Sequence, residues 1–372
     1  MNHSIIRTAA AFLFSALIFG CTDGSGSSSV PDSTPAENFP GGTAGNEQNS
    51  GTSSRALSQN AEAVLKYISR VFQDGKTIAG QMDLTWKPEI DMAQEVFSDT
   101  GRYPALYGFD FMNYTGASYN NTRQTEDAIK WWNGTYVPSE SSSERKNGII
   151  AFCWHWRAPG SADGEFYTEK TSFRIPYKDN SLDTTSAEFK AIQNDLSTIA
   201  AELKKLKDAG APVLWRPLHE ASGGWFWWGA SGKEPYIALY TYMHDYFTKE
   251  QNLDNLIWVW NAQNPQWYPG DEYCDIISWD NYNKSELDKN YSTLLGMKTG
   301  KPVALSENGA IPEKPYGEKN WAYFMTWNDA GDENDDTEKE DFWSNQEINP
   351  AGHRTAIYTA QEVITLDKLP AF

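Results

Sequence analysis

Eight short apolar runs, separated by longer amphipathic or loop segments, constrain the fold of this chain more than any other feature of its sequence. Runs rich in β-branched and aromatic residues at such intervals are typical of a parallel α/β sheet. One separating segment, residues 187–210, has apolar residues three and four positions apart and ends in glycine, which predicts a helix. The runs are TIAGQ from Thr77, ALYGFDF from Ala105, GIIAFCWHW from Gly148, PVLWRPLHE from Pro212, NLIWVWNAQ from Asn255, DIISWDNY from Asp275, PVALSENG from Pro302 and AYFMTWN from Ala322. Eight parallel strands in a domain of this size predict a (β/α)₈ TIM barrel, an α/β fold in a single domain.

Polar or aromatic side chains stand at the C-terminal end of almost every run. The set is Asp110, His155, His219, Glu220, Asn261, Asp280, Asn281, Glu307, Asn308, Trp327 and Asn328. In a barrel these ends share one face and line one pocket. Strand ends are also polar wherever a chain leaves for solvent, but glutamate is a poor turn former, so solvent exposure accounts least well for Glu220 and Glu307.

Those two glutamates end the fourth and seventh runs, so in an eight-stranded ring they face each other across the mouth. Cleavage of a glycosidic bond needs such a pair, with one carboxyl protonated and the other ionised. Glu220 lies in WRPLHEASGGWFWWG, where an aromatic, partly dry setting raises a carboxyl pKa and favours a general acid. Glu307 lies in the more polar LSENG, which favours an ionised nucleophile.

An excess of tryptophan and of negative charge indicates the kind of ligand. The chain has 16 tryptophans, and an indole ring is a flat surface on which the C–H face of a pyranose packs. Four adjacent aromatics, residues 225–228, cannot all point inward from a helix or strand, so we expect at least one to be exposed. A formal net charge of -19 argues against nucleic-acid or membrane-surface binding and suits a neutral partner.

Three separated motifs, RPLHEASGGWFWWG, SWDNY and LSENG, closely resemble those of glycoside hydrolase family 26. The resemblance runs from about Leu57 to the C-terminus. It implies a retaining β-mannanase of the (β/α)₈ clan, with Glu220 as acid/base and Glu307 as nucleophile.

The resemblance also implies further site residues. It predicts that His219 contacts the sugar in the −1 subsite, Tyr282 hydrogen-bonds the nucleophile, His155 lines the sugar site, Trp225 stacks in the +1 subsite and Trp327 floors the −1 subsite. Three side chains also fit a purely structural role: His155 as a core histidine, Tyr282 as a strand cap, and Asp280 as a structural partner rather than a ligand contact. After Trp327, the sequence shows no match to a family residue that binds sugar in subsites beyond −1.

These features predict an endo-acting retaining β-1,4-mannanase that hydrolyses plant mannan or galactomannan by double displacement, as a monomer and without a cofactor. We expect no metal site: the acidic run after Trp327 lacks the glycine turn of a calcium loop, and HEASG lacks the second histidine of a zinc motif. One alternative keeps this chemistry on mixed-linkage β-glucan or β-1,3-xylan. Another is a lipid-anchored glycan-binding protein without turnover.

The N-terminus predicts export and lipidation. We expect residues 1–20 to be a lipoprotein signal peptide, Cys21 the lipidated cysteine, and residues 21–56 a flexible Gly/Ser/Pro-rich tether before a catalytic domain at 57–372. This places the protein outside the cytoplasm of a bacterium, on either face of the outer membrane. The remaining cysteines, Cys153 and Cys274, form no disulfide framework; they are buried free thiols or one bridge.

Overall fold

A computed structural model describes residues 55–116, 122–136, 147–161, 164–313, 320–327 and 342–372. All eight predicted strands are present, as β1 Thr77–Met82, β2 Leu106–Asp110, β3 Ile149–Cys153, β4 Val213–Arg216, β5 Leu256–Trp260, β6 Ile276–Asn281, β7 Val303–Asn308 and β8 Tyr323–Thr326. Each pairs in parallel with the next along the chain, and β8 pairs with β1, where Ile78 lies opposite Tyr323. The sheet is therefore closed, and the predicted (β/α)₈ barrel is confirmed. The predicted signal peptide, Cys21 and most of the tether lie outside the described residues.

Seven α-helices accompany the strands in the described ranges: α1 Gln59–Gln73, α2 Met92–Thr100, α3 Gln124–Trp132, α4 Ala187–Asp208, α5 Lys233–Asp245, α6 Leu287–Gly296 and α7 Ala351–Thr359. The predicted helix is α4: the Ser186 side chain caps its first turn by accepting from the Phe189 N–H, and Gly210 follows its end with a φ of 71°. None of these seven described helices combines the length and the apolar character that a membrane span requires.

The connection from β5 to β6 departs from a regular β/α repeat. It contains two 3₁₀ turns, Pro265–Trp267 and Asp271–Tyr273, and its described residues form no α-helix. Two prolines and Gly270 within six residues prevent a continuous helix here, because proline lacks the N–H that a helix interior needs. Near the C-terminus, a short strand, Val363–Ile364, pairs with the start of β1.

Most of the tryptophans lie in the core, so the interpretation of the excess as a ligand surface is wrong for most of them. Trp215 on β4 and Trp258 on β5 are fully buried; Trp258 lies 5.6 Å from Tyr240 of α5, measured between ring centroids. Among the described tryptophans the exposed one is Trp225, at 41%. Large rings therefore mainly fill the space between barrel and helices.

Both remaining cysteines are free thiols, so of the two possibilities left by the sequence, free thiols or one disulfide bridge, the first is correct. Cys153 and Cys274 are buried and unpaired with each other. Burial raises the pKa of each thiol well above its usual value, so both are neutral, small apolar groups.

Candidate active site

A strained turn after β4 presents Glu220. Leu218 and Glu220 both have left-handed backbone angles, with φ of 51° and 54°, which non-glycine residues rarely adopt. The Glu220 N–H donates to the carbonyl of Asn261, just past β5, at 2.6 Å. Such strain persists only where surrounding contacts hold it, and it is typical of functional sites.

A β-bulge in β7 aligns Glu307 with Asp280. Trp279 lies opposite Leu305, but the next pair is Asp280 with Glu307, which leaves Ser306 as an extra residue. Bulges of this kind re-aim side chains at barrel rims. The two carboxylates therefore stand side by side on neighbouring strands.

One buried arginine joins these carboxylates. Arg216, the last residue of β4, donates from Nη1 to Asp280 Oδ2 at 2.8 Å and from Nη2 to Glu307 Oε1. The Tyr282 hydroxyl donates to the other oxygen of Glu307 at 2.7 Å, as the resemblance predicts. Each oxygen of Glu307 thus receives a donor, an arrangement that stabilises a carboxylate and fixes its orientation.

Glu220 lies close to this group but has different partners. An oxygen from each of Glu220, Asp280 and Glu307 lies within 4.8 Å of the others. Trp225 Nε1 donates to Glu220 Oε2 at 2.9 Å, and Gln263 Nε2 donates to Glu220 Oε1 at 3.1 Å. Burial first, and then the negative charge of Glu307, raise the pKa of Glu220 to about 7. Glu220 therefore keeps a proton up to near neutrality and is equipped to act as a general acid.

Two histidines and Asp110 form a hydrogen-bonded row beside the carboxylates. Asp110 Oδ2 lies 2.5 Å from His155 Nδ1, and His155 Nε2 lies 3.2 Å from His219 Nε2. Burial lowers the pKa of His155, but the Asp110 carboxylate outweighs it and the net shift is upward. Burial, Arg216 and His155 lower the pKa of His219 well below its usual value, so His219 is neutral. His219 is only 1% exposed, and the sugar contact predicted for it stays a prediction.

The aromatic stretch after Glu220 places one ring in solvent. Trp225 is exposed and the three aromatics that follow it are buried, which confirms that the four cannot all point inward. Trp327, at the end of β8, is half-buried, with its ring centroid 5.6 Å from that of His155 and 6.1 Å from that of Trp86. Trp225 and Trp327 thus both keep part of their surface exposed.

Among the residues that the structure describes, two groups of side chains have the spacing of metal ligands, but the chemistry of each group is unsuited to a metal ion. In the first, formed by Glu220, Asp280 and Glu307, the Arg216 guanidinium already bonds two of the three carboxylates. In the second, Asp110 is bonded to His155, and Cys153 is a neutral thiol, whereas metals bind the thiolate. The acidic run at residues 328–341, and Asn328 with it, lie outside the described residues.

The site residues predicted from the sequence all lie on or follow the C-terminal ends of barrel strands; they are Glu220, Glu307, Asp280, Tyr282, His155, His219, Trp225 and Trp327. The sequence predictions include neither Arg216 nor Gln263. Arg216 carried a signal, because a lone cation inside an apolar run must find a buried anion. For Gln263 the sequence contains no such signal, because a position in a loop does not indicate the direction of the side chain. Asp280 proves to be an ion-pair partner of Arg216.

A family profile and several named proteins match this chain. The profile of Glycosyl hydrolase family 26 matches residues 53–347. A mannan endo-1,4-beta-mannosidase from Thermothelomyces thermophilus is 36% identical over an alignment of 325 residues, and the match covers 83% of this chain and 61% of that protein. The chain spans about half the length of the curated relatives it matches.

Solved structures with this fold include two mannanases that are more than 30% identical to this chain. A GH26-CBM35 beta-(1,4)-mannanase from Podospora anserina is 31% identical, with a TM-score of 0.72 over 87% of this chain and 71% of the other. A beta-mannanase from a symbiotic protist of the termite Reticulitermes speratus, complexed with gluco-manno-oligosaccharide, is 32% identical, with a TM-score of 0.69 over 87% of this chain and 98% of the other.

Proposed function

The chain belongs to glycosyl hydrolase family 26, and from this membership and the site we propose that it is an endo-acting retaining β-1,4-mannanase. The observation that carries the mechanism is the approach of Glu220 and Glu307 oxygens to within 4.8 Å. Retaining glycosidases hold their carboxyls about 5–5.5 Å apart, whereas inverting enzymes need about 6.5–9.5 Å to admit a water. The shorter distance favours a covalent glycosyl-enzyme.

In the first step, Glu220 gives its proton to the bridging oxygen while a Glu307 oxygen attacks the anomeric carbon. The glycosidic bond breaks, its electron pair stays with the leaving oxygen, and an ester forms to Glu307. Arg216 and Tyr282 hold the nucleophile in place for this attack.

In the second step, Glu220, now ionised, takes a proton from water as the water oxygen attacks the anomeric carbon. The ester bond breaks and Glu307 returns as a carboxylate beside Arg216. The proton gained by Glu220 restores the acid, so the cycle needs no cofactor. Every group used comes from one chain, and we propose that the protein works as a monomer.

The proposed substrate is a neutral plant β-mannan. The support is the mannanase activity for which the relatives are named, the strongly negative net charge, and the aromatic surfaces at Trp225 and Trp327. We assign Trp225 to stacking in the +1 subsite and Trp327 to the floor of the −1 subsite, with His155 and His219 lining the sugar site. A binding protein without turnover has no need of a paired acid and nucleophile, so we rank that alternative below hydrolysis.

Digestion of a polysaccharide panel tests this function. Incubation with linear mannan, galactomannan, mixed-linkage β-glucan and β-1,3-xylan should release reducing ends from the mannans, as a spread of oligomers from the earliest times. Release of mannose alone would contradict endo action. Cleavage confined to the glucan or the xylan would reassign the substrate, and binding without cleavage on every polymer would identify a lectin-like protein.

We also propose that the protein is an outer-membrane lipoprotein attached through Cys21, with residues 21–56 as its tether and residues 57–372 as the catalytic domain. The support is the apolar N-terminal run that ends at Gly20 and Cys21 and the small polar residues that follow. A Cys21→Ser variant should lose incorporation of labelled palmitate in the bacterial host. Equal incorporation in the variant and the wild type would contradict the assignment.

A further inference from the structure

We propose that the Trp225 indole N–H and the Gln263 amide are positioning groups that make Glu220 a better acid for the leaving oxygen. A sugar that packs on the exposed Trp225 ring in the +1 subsite strengthens the hydrogen bond from this ring to Glu220. The inference rests on the proposed function and adds a purpose for two contacts that the hydrolytic mechanism does not otherwise use.

Both oxygens of Glu220 accept a neutral N–H. Trp225 Nε1 lies 2.9 Å from Oε2, and Gln263 Nε2 lies 3.1 Å from Oε1. While Glu220 is protonated these are ordinary hydrogen bonds. Once the proton passes to the bridging oxygen, Glu220 becomes a carboxylate and both bonds become charge-assisted, which makes them about twice as strong. The two donors therefore stabilise the transition state of proton transfer more than the ground state.

Gln263 is held rigidly against the turn that carries Glu220. The Glu220 N–H donates to the Asn261 carbonyl, and the Ser222 N–H donates to the Ala262 carbonyl at 3.1 Å. Gln263 follows directly, with a left-handed φ of 60°. A non-glycine residue keeps such an angle only when its surroundings impose it, so the amide is presented to Glu220 by a fixed backbone.

Trp225 is fixed from one side and open on the other. A Cβ at Gly223 would lie 1.9 Å from a carbon of the Trp225 ring, so the ring rests where only glycine leaves room. The Thr168 N–H donates to the Trp225 carbonyl at 2.7 Å. The ring is 41% exposed, and a sugar packed on it would keep water from the N–H bond to Glu220. Exclusion of water strengthens that bond because the local dielectric falls.

The two steps of the reaction should respond in opposite ways. Donors that favour the Glu220 carboxylate strengthen the acid in the first step and weaken the base in the second. Their benefit is greatest for a poor leaving group, such as a sugar hydroxyl. A good leaving group departs without a proton and gains little.

The test uses the full-length protein and a series of aryl β-mannobiosides whose leaving groups range from dinitrophenol to unsubstituted phenol. Trp225→Phe keeps a ring but removes the N–H, and Gln263→Met keeps a chain of similar length but removes the amide. Trp267→Phe, in the same β5–β6 connection, is the matched control and should behave as wild type. Each variant's kcat/KM is measured across the series and across pH.

For each of the two variants we expect about a tenfold loss of kcat/KM with phenol, shrinking steadily as the leaving group improves. We expect the alkaline limb of the wild-type pH profile at about pH 7, and it should move to higher pH in the variants, because loss of a donor that stabilises the carboxylate raises the pKa of Glu220. Gly223→Ala, which displaces the ring without changing the indole, should reproduce the Trp225→Phe pattern.

An equal loss across all leaving groups, or an alkaline limb that stays in place in both variants, would overturn the inference while leaving the hydrolytic function standing. A wild-type protein that cleaves none of the mannobiosides would overturn the proposed function and the inference together. Thermal melting of each variant separates these outcomes from failure to fold, and if either variant unfolds, the other and Gly223→Ala carry the test.

Discussion

Glutamine in place of Glu307 is expected to lower kcat on mannan by at least about 10⁴-fold, because the amide cannot form the glycosyl ester. The protein should still fold, since Arg216 keeps its ion pair with Asp280 at 2.8 Å. Reducing-end release measures turnover, and the melting temperature measures folding.

Glu286→Gln, at an exposed glutamate just before α6, is the matched control and should retain wild-type activity. Turnover by Glu307→Gln within tenfold of the wild type would exclude Glu307 as the nucleophile. Loss of activity in the control as well would point instead to a general effect of removing negative charge.

Alanine in place of Glu220 is expected to lower kcat/KM on mannan by about 10³-fold, because a sugar leaving group then departs without a proton. The loss should be far smaller with dinitrophenyl β-mannobioside, whose leaving group needs no acid. Water also loses its general base in the second step, so the glycosyl-enzyme should accumulate and give a burst of dinitrophenol.

Azide provides the sharpest readout on this variant. Azide is a nucleophile that needs no base and fits the space left by the carboxyl. It should attack the mannobiosyl-enzyme, restore steady turnover and yield the β-mannobiosyl azide. Absence of rescue, together with equal losses on both substrates, would show that Glu220 has a structural role rather than an acid/base role.

The overall architecture follows from local patterns in the sequence. Each barrel strand is an apolar run of five or so residues, and the polar residue at its end marks the C-terminal face. Glu220 and Glu307 could be assigned different roles because their immediate neighbours differ in polarity. The raised pKa of Glu220, to about 7, agrees with that assignment.

What the sequence could not provide depends on contacts between distant segments. The bulge at Ser306, which brings Glu307 beside Asp280, is a matter of register between two strands. Gln263 reaches Glu220 because the backbone after β5 docks on the turn after β4. The abundance of tryptophan predicts a ligand surface, and this prediction fails for most of the rings. Composition shows that tryptophan is abundant, but only the packing shows that Trp215 and Trp258 are buried between strands and helices.

Double displacement on a β-mannan by Glu220 and Glu307 retains the anomeric configuration, so the configuration of the first product is the decisive measurement. Mannohexaose is digested in an NMR tube, and the anomeric proton signals of the newly formed reducing ends are followed from the earliest scans. We predict that the β-anomer appears first and that the α-anomer grows in later, by mutarotation. Initial formation of the α-anomer would mean inversion at a single displacement, and would contradict both the covalent intermediate and the role given to Glu307.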